Sequence, residues 1–354
     1  MGSTTVECVA DVTATLRPGS RGRPSSAYAP FHNPPISLNA QCVLSISIAE
    51  DLTANVNGIV GPDALSLRPV DLSSEDPDYI VEAPEAYLKL NLGDSAYIQA
   101  GRFADPGGNG QTWRPDRQPR VHTSVLYNVM PFVQTGVLGN MSFGRLSLTG
   151  FFSGGPDEFF HRPYWGIQLV YNPIQGVRFY ANYQGGLWHG NDRGARHSLD
   201  AGIHIEPSTS FYAGLYFLYG QEQVRVTRES NSSLENFPWF GAEGVLRVRP
   251  RNSDNSLLPI SFNLITSFFN GAVRTNIEQH DGGVMNGLPS VSVFQAALGV
   301  GIHFSDQVML RIETQQTVPV GQECISPDAC SLQSYAAQLV WTSSPQSYVA
   351  IAPE

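Results

Sequence analysis

The chain lacks any long apolar run. Although 42% of its 354 residues are hydrophobic, no stretch approaches the roughly 18 consecutive apolar residues that a membrane-spanning helix needs. Helical membrane proteins are therefore excluded. Charged side chains are also scarce, at 15%, against roughly 25% in soluble domains. Something other than a charged surface must keep the chain dispersed.

Positive charge is the scarcer sign. The formal net charge is −10, and Lys89 is the only lysine. Because nucleic-acid binding needs positive charge clustered on one face, this balance argues against a nucleic-acid partner.

Catalytic and metal-binding patterns are also missing. There is no Gly-x-Ser-x-Gly elbow, His-Glu-x-x-His pair or glycine-rich phosphate loop, so we expect no enzyme, no metal and no cofactor. The pairs His197-Ser198 and His280-Asp281 are the nearest approach to a catalytic site. Adjacent residues of a strand face opposite sides, which separates the first pair, and the second falls in a predicted loop.

Four cysteines are present. Cys324 and Cys330 bracket a short polar segment, and this spacing predicts a small loop disulfide, with two free thiols as the alternative. Cys8 and Cys42 fall on the same face of two neighbouring predicted strands. They either pair across those strands or stand separately.

No signal peptide is recognisable after Met1, because the charged, apolar and small-residue cleavage pattern is missing. Read as complete, the chain argues against export. Read as a mature chain whose signal has been removed, it does not. The two readings stay open.

Alternation with period two dominates the chain, over segments of about ten residues. In 177–185 an apolar face opposes Arg178, Tyr180, Asn182 and Gln184. The pattern recurs in 198–206 and 294–304. A strand crossing a bilayer at a tilt needs roughly 9 to 11 residues, so these segments have the length of membrane-spanning strands.

The connections alternate in length. Short turns lie near residues 49–51, 92–94, 142–144, 174–176, 207–209 and 305–307. Longer polar connections lie at 61–78, 105–130, 223–237, 271–292 and 318–332. Short turns at one rim and long loops at the other are typical of outer-membrane barrels, whereas a soluble sandwich lacks this asymmetry.

The sequence therefore predicts an all-β fold. It is a transmembrane antiparallel up-and-down β-barrel of about 16 strands, with short periplasmic turns and long extracellular loops. Residues 1–354 form a single domain, with strands over roughly 5–342 and a periplasmic tail at 343–354. The first strand is placed near 6–16 and the last near 333–342.

Aromatic residues near the segment ends suit the girdles at the two membrane interfaces. They are Tyr164, Trp165, Tyr171, Tyr183, Trp188, Tyr219, Trp239, Phe240 and Trp341. The alternative is that they are core aromatics of a soluble sheet.

Three short motifs carry a family resemblance: Glu-Ala-Tyr-Leu at 85–88, Ala-Gly-Arg-Phe-Ala-Asp-Pro at 100–106 and Pro-Phe-Val-Gln-Thr-Gly-Val at 131–137. In this order they resemble the OmpL-like outer-membrane β-barrel porin family, over roughly residues 80–220. The proline-rich connection at 17–35 and the missing terminal aromatic depart from that pattern. The resemblance implies an outer-membrane channel of unassigned substrate.

On this basis we expect a channel for passive diffusion of small polar or charged solutes, located in the outer membrane of a Gram-negative bacterium. Its expected partners are outer-membrane lipid and small hydrophilic solutes or ions. The oligomeric state is left open between a homo-oligomer, such as a trimer, and a monomer. The alternatives are an outer-membrane barrel enzyme or adhesin, and a soluble all-β binding protein.

Charged residues on the polar faces are candidates for the lining of the pore or its constriction, because charge at the narrowest ring sets selectivity. They are Glu85, Lys89, Arg145, Arg178, Asp200, His204, Glu243, Arg247, Arg311 and Glu313. The loop at 105–130 adds Arg114, Arg117 and Arg120, which narrow the pore if the loop folds inward. A generally hydrated wall and a solvated outer loop are the simpler alternatives.

Overall fold

The described residues of the computed structural model form sixteen β-strands. The description covers residues 3–16, 36–60, 81–106, 133–156, 163–187, 193–228, 231–271, 291–319 and 332–343. The strands are β1 Thr4–Leu16, β2 Ile36–Ser47, β3 Leu52–Val60, β4 Val81–Asn91, β5 Ala96–Ala104, β6 Val133–Phe143, β7 Leu146–Pro156, β8 Tyr164–Ile174, β9 Val177–Leu187, β10 Arg193–Ser208, β11 Phe211–Arg228, β12 Asn231–Val248, β13 Ile260–Gly271, β14 Val291–His303, β15 Val308–Pro319 and β16 Leu332–Thr342. No helix within these ranges is long and apolar enough to cross a membrane.

The sheet closes on itself. Each strand pairs with its sequence neighbours, and β1 also pairs with β16, which gives one closed barrel. Every pairing is antiparallel, including the seam from Val9 opposite Thr342 to Leu16 opposite Tyr335. The predicted up-and-down barrel of sixteen strands, with its first and last strands, is confirmed.

The two faces of each strand meet different surroundings. Along β11, Leu215 and Phe217 are exposed, while Tyr216 and Leu218, which alternate with them, are buried. Exposed large apolar side chains occur on the outer face all around the barrel. Lipid offers the backbone no hydrogen bonds, so a sheet can meet hydrocarbon only when every strand edge is paired.

The connections follow the predicted asymmetry, with one correction and one addition. Residues 223–237 were predicted to be a long connection, but most of them extend β11 and β12, which pair as far as Arg228 opposite Asn231. On the short-turn side, the connection at 249–259 is longer than a turn and contains a bridge between Arg251 and Leu257. Hydrogen bonds from Ser256 hold the pKa of Asp254 in this connection below its usual value.

The first hairpin is covalently closed. Cys8 on β1 and Cys42 on β2 are directly paired residues, and they form a disulfide with a Cα–Cα distance of 4.1 Å. Their shared face is therefore confirmed, and of the two sequence-based alternatives the disulfide is the one formed. Cys324 and Cys330 lie outside the described residues.

The aromatic girdles are partly as predicted. Trp165, Tyr171, Tyr219, Phe240 and Trp341 are exposed on the outer face, and Tyr183 contacts the Trp165 ring, with centroids 5.3 Å apart. Trp188 lies outside the described residues.

Two of the predicted girdle residues face the interior instead. Tyr164 and Trp239 are 0% and 2% exposed, because both occupy inward positions of their strands. The Trp239 ring fills the space over Gly220, where an added Cβ would meet it.

We expect Gly202→Ala to destabilise the barrel. A Cβ at Gly202 would stand 2.5 Å from the Tyr180 ring and 2.9 Å from the Tyr216 ring, and overpacking of this kind costs about 1 to 3 kcal/mol. The measurement is urea unfolding in detergent micelles. Gly139→Ala is the control, because a Cβ there has no atom within 4 Å, and equal midpoints for the two variants would contradict this packing.

Candidate functional site

The inner wall of the barrel holds most of the charged residues that the sequence analysis selected. They occupy inward positions, which alternate along each strand with the exposed apolar residues. They are Glu85 and Lys89 on β4, Arg178 on β9, Asp200 and His204 on β10, Glu243 and Arg247 on β12, and Arg311 and Glu313 on β15.

Arg145 does not line the wall. It is exposed and lies with Gly144 in the tight turn between β6 and β7, where its carbonyl accepts the N–H of Asn172. Its position in the alternation is inward, but the strand begins only at Leu146. Arg114, Arg117 and Arg120 lie outside the described residues.

Six of these nine side chains are buried, whereas Glu85, Lys89 and Arg178 are half-buried, so the simpler alternative of a generally hydrated wall does not describe most of them. Glu243 is 1% exposed and Gln184 is 0% exposed. Many of these side chains form hydrogen bonds to neighbours on adjacent strands. The polar wall is therefore an organised layer of side chains.

Hydrogen bonds between inward side chains join neighbouring strands of the wall. Arg247 Nε donates to Asn263 Oδ1 at 3.0 Å, and Ser267 Oγ donates to Glu243 Oε2 at 2.8 Å. Across the seam, Gln338 Nε2 donates to Asp11 Oδ2 at 3.2 Å. These contacts hold Arg247, Glu243 and Asp11 against the neighbouring strands.

Asp105 is the centre of a second network, at the end of β5. Gln134 Nε2 on β6 donates to Asp105 Oδ2 at 2.6 Å, and Gln184 Nε2 on β9 donates to Asp105 Oδ1 at 2.5 Å. Ser153 Oγ on β7 donates to Gln134 Oε1 at 2.7 Å. One carboxylate thus ties the end of β5 to strands across the interior.

Pro106, like Asp105, lies against the inner wall of the barrel. The amide of Gln168, an inward residue of β8, donates to the carbonyl oxygen of Pro106. In the barrel order, β6 and β7 lie between β5 and β8. The chain that leaves β5 therefore begins its connection inside the barrel, against the inner wall, and not above the rim.

Aromatic rings line the wall from β9 to β11. The His204 ring lies 5.7 Å from Tyr180 and 5.1 Å from Tyr216 between centroids, and His204 Nδ1 is 3.1 Å from the Tyr212 hydroxyl. That hydroxyl also bonds the Tyr216 hydroxyl. Apolar side chains complete the cluster, namely Val170, Val245, Ile265 and Ala297. His204 is thus part of a packed patch and does not project as an isolated charge.

Sequence reasoning missed several inward residues of this wall. Asp11, Asp105 and Arg196 are all less than a tenth exposed, and the Arg196 guanidinium lies over the Trp239 ring at 5.5 Å. The alternation itself assigns Asp11 and Arg196 to the inner face. Asp105 had a weaker signal, since it is the next-to-last residue of the Ala-Gly-Arg-Phe-Ala-Asp-Pro motif and was assigned to the loop at 105–130.

The wall offers little for catalysis or metal binding within the described ranges. No group of three or more His, Cys, Asp or Glu side chains is placed to hold a metal ion there. His197 faces outward and its Nδ1 bonds the Tyr183 hydroxyl at 2.8 Å, whereas Ser198 is buried on the inner face, so this pair is separated as expected. His280 and Asp281 lie outside those ranges.

Comparison with known sequences gives one family match. The family model described as "Putative beta-barrel porin-2, OmpL-like" matches residues 31–323. Curated proteins include no match to this sequence.

Solved structures with the same fold are outer-membrane proteins. OmpT of Vibrio cholerae in its trimer form superposes with a TM-score of 0.62 at 8% identity, covering 96% of this chain and 99% of that one. The outer membrane channel DcaP of Acinetobacter baumannii gives 0.61 at 10% identity, covering 96% and 97%. The anion-selective porin of Comamonas acidovorans gives 0.57 at 10% identity, covering 97% and 100%.

We expect Asp105→Ala to lower the free energy of unfolding by about 2 kcal/mol or more, because it leaves the buried amides of Gln134 and Gln184 without their acceptor. Urea unfolding in detergent micelles measures the change. Asp94→Ala is the matched control, since Asp94 is exposed in the turn at the other end of β5. Equal losses for the two variants would contradict the anchoring role of Asp105.

Proposed function

Because this chain belongs to the OmpL-like beta-barrel porin-2 family, we propose that it is a channel for passive diffusion of small polar or charged solutes across the outer membrane of a Gram-negative bacterium. The observation that carries the proposal is a closed barrel whose inner wall holds acids and bases through hydrogen bonds to neighbouring strands. A sixteen-stranded barrel has the width for an aqueous channel. Diffusion requires no cofactor and no catalytic group.

The proposed pore is narrowed by the connection that follows β5. The anchoring of Asp105 and Pro106 against β6, β8 and β9 supports this assignment. The chain continues from there to Arg114, Arg117 and Arg120, which are the candidates for the basic side of a constriction.

Selectivity is proposed to follow from the charges on the inner wall of the barrel. Arg178 and Lys89 supply positive charge, and Asp200, Glu243 and Glu313 supply negative charge. The remaining candidates for the lining are Glu85, His204, Arg247 and Arg311, while Arg145 is withdrawn because it lies in an exposed turn.

The proposed partners follow from the two faces. The apolar outer face contacts outer-membrane lipid, and the inner face contacts hydrophilic solutes or ions. The trimer form of the structurally similar OmpT of Vibrio cholerae supports a homo-oligomer as the proposed assembly.

The function predicts stepwise ion currents when the purified protein is added to a planar bilayer. Sugars that are small enough to enter the pore should reduce the conductance, whereas sugars that are too large to enter should leave the conductance unchanged. Protein that migrates as a folded barrel but passes no current would contradict a diffusion channel.

Replacing Arg114, Arg117 and Arg120 together with glutamine should shift the channel toward cations, since it removes positive charge from the proposed constriction. The reversal potential in a salt gradient measures the shift. Arg145→Gln is the control, because this exposed turn residue lies off the inner wall. If the triple variant keeps the reversal potential of the parent protein, these arginines do not form part of the constriction.

A further inference from the structure

Cys8 connects the first strand to both of its neighbours. Its sulfur bonds Cys42 on β2. On the other side, its N–H donates to Ser343 Oγ at 2.8 Å, and its carbonyl accepts the N–H of Ser343 at 2.8 Å. Ser343 directly follows β16, so the disulfide stands where the closing seam between β1 and β16 begins.

Both strands that pair with β1 are distant from it in the sequence. The connection at residues 17–35 separates it from β2, and 335 positions separate Cys8 from Ser343. Contacts between residues this distant form late, because the chain between them must first be ordered. A covalent bond to β2 removes this difficulty for one edge of β1.

Apart from Ser343, the neighbours of the disulfide on the outer face are apolar or glycine. On the outer face, Cys8 lies between Val6 and Ala10 along β1, and Cys42 lies between Ala40 and Leu44 along β2. The residue opposite Cys42 on β3 is Gly58, and Ala10 is paired with the girdle residue Trp341. In a membrane this face meets lipid, where the charged thiolate that disulfide exchange needs is disfavoured.

We propose that the Cys8–Cys42 disulfide is an assembly staple that is formed before the barrel enters the membrane. It holds β1 in register on β2, so that β1 presents its free edge to β16 and the seam closes. Barrel assembly therefore follows an oxidation step in the compartment through which the chain is exported.

The oxidant is a disulfide, either of a dithiol oxidase or of a small molecule. The Cys8 thiolate attacks one of its sulfurs, and the resulting mixed disulfide is then attacked by the Cys42 thiolate. The bond between the two cysteines forms, and the oxidant leaves in its reduced form, as a dithiol in the case of an oxidase or as two thiols in the case of a small-molecule disulfide. The cysteines lose two electrons and two protons, which the oxidant gains.

The test uses the full chain with Cys324→Ser and Cys330→Ser, so that one cysteine pair remains. The urea-unfolded chain is either oxidised or kept reduced, and is then diluted into lipid vesicles. Folding is followed by the faster gel migration of unheated barrels. We expect the folding rate of the oxidised chain to be about tenfold or more higher than that of the reduced chain. Closing a loop of this length allows an increase of roughly several hundred-fold in the folding equilibrium constant, so the expected change in rate is well within that limit.

Oxidised glutathione added at different stages tests the order of events. Added to the unfolded reduced chain, it should restore fast folding. Added after the reduced chain has folded in vesicles, it should form the bond at least about tenfold more slowly than in the unfolded chain. A chain that also carries Cys8→Ala and Cys42→Ala should not respond to the oxidant.

Three results would overturn the proposal. The first is equal folding rates for the oxidised and reduced chains. The second is a reduced chain that fails to fold and is not rescued by the oxidant. The third is bond formation in the folded barrel that is as fast as in the unfolded chain.

Discussion

Closure of the sheet is the constraint on which the rest of this structure depends. In hydrocarbon, every backbone N–H and C=O must find a partner within the protein, and the pairing of β1 with β16 removes the last free edge. Closure in turn fixes the alternation, because each strand then has one face toward lipid and one toward the interior. The seam joins the first and last strands, and Cys8, which is disulfide-bonded to Cys42 on β2, is hydrogen-bonded to Ser343 at one end of this seam.

The interior is more ordered than a hydrated wall would be. Amide and hydroxyl side chains form hydrogen bonds to charged groups on neighbouring strands. Aromatic rings from β9 to β11 pack into an apolar patch around His204. Asp105 draws the end of β5 into the same layer. A channel built in this way has a width and a field that depend on side chains locked by their neighbours, so single substitutions at Asp105 or Glu243 should act beyond their own position.

Much of this architecture is predictable from the sequence because membrane-spanning strands have a period of two and a nearly constant length. The strands from Val177 to Leu187 and from Val308 to Pro319 follow directly from that pattern. The outward placement of Trp165 and Trp341 follows from it as well. The short turns are equally plain, since Gly93, Gly144 and Gly176 adopt positive φ there.

The errors arise where alternation competes with another criterion. Tyr164 and Trp239 were assigned to the girdles because aromatics stand near strand ends, although the alternation turns both inward. Arg145 has the inward phase but lies before its strand begins. The polar residues from 223 to 237 resemble a loop, yet hairpin pairing extends β11 and β12 through them. The inward placement of Asp105 and Pro106 depends on hydrogen bonds from Gln134, Gln168 and Gln184, distant residues that no local pattern connects to them.

Spin labels placed one at a time at Leu215, Tyr216, Phe217 and Leu218 of β11, with the protein in lipid vesicles, test the central claim most directly. Collision with oxygen, which concentrates in the hydrocarbon, should be frequent at Leu215 and Phe217 and infrequent at Tyr216 and Leu218. Equal collision rates at all four positions, or high rates at Tyr216 and Leu218, would contradict a closed barrel with its apolar face toward lipid.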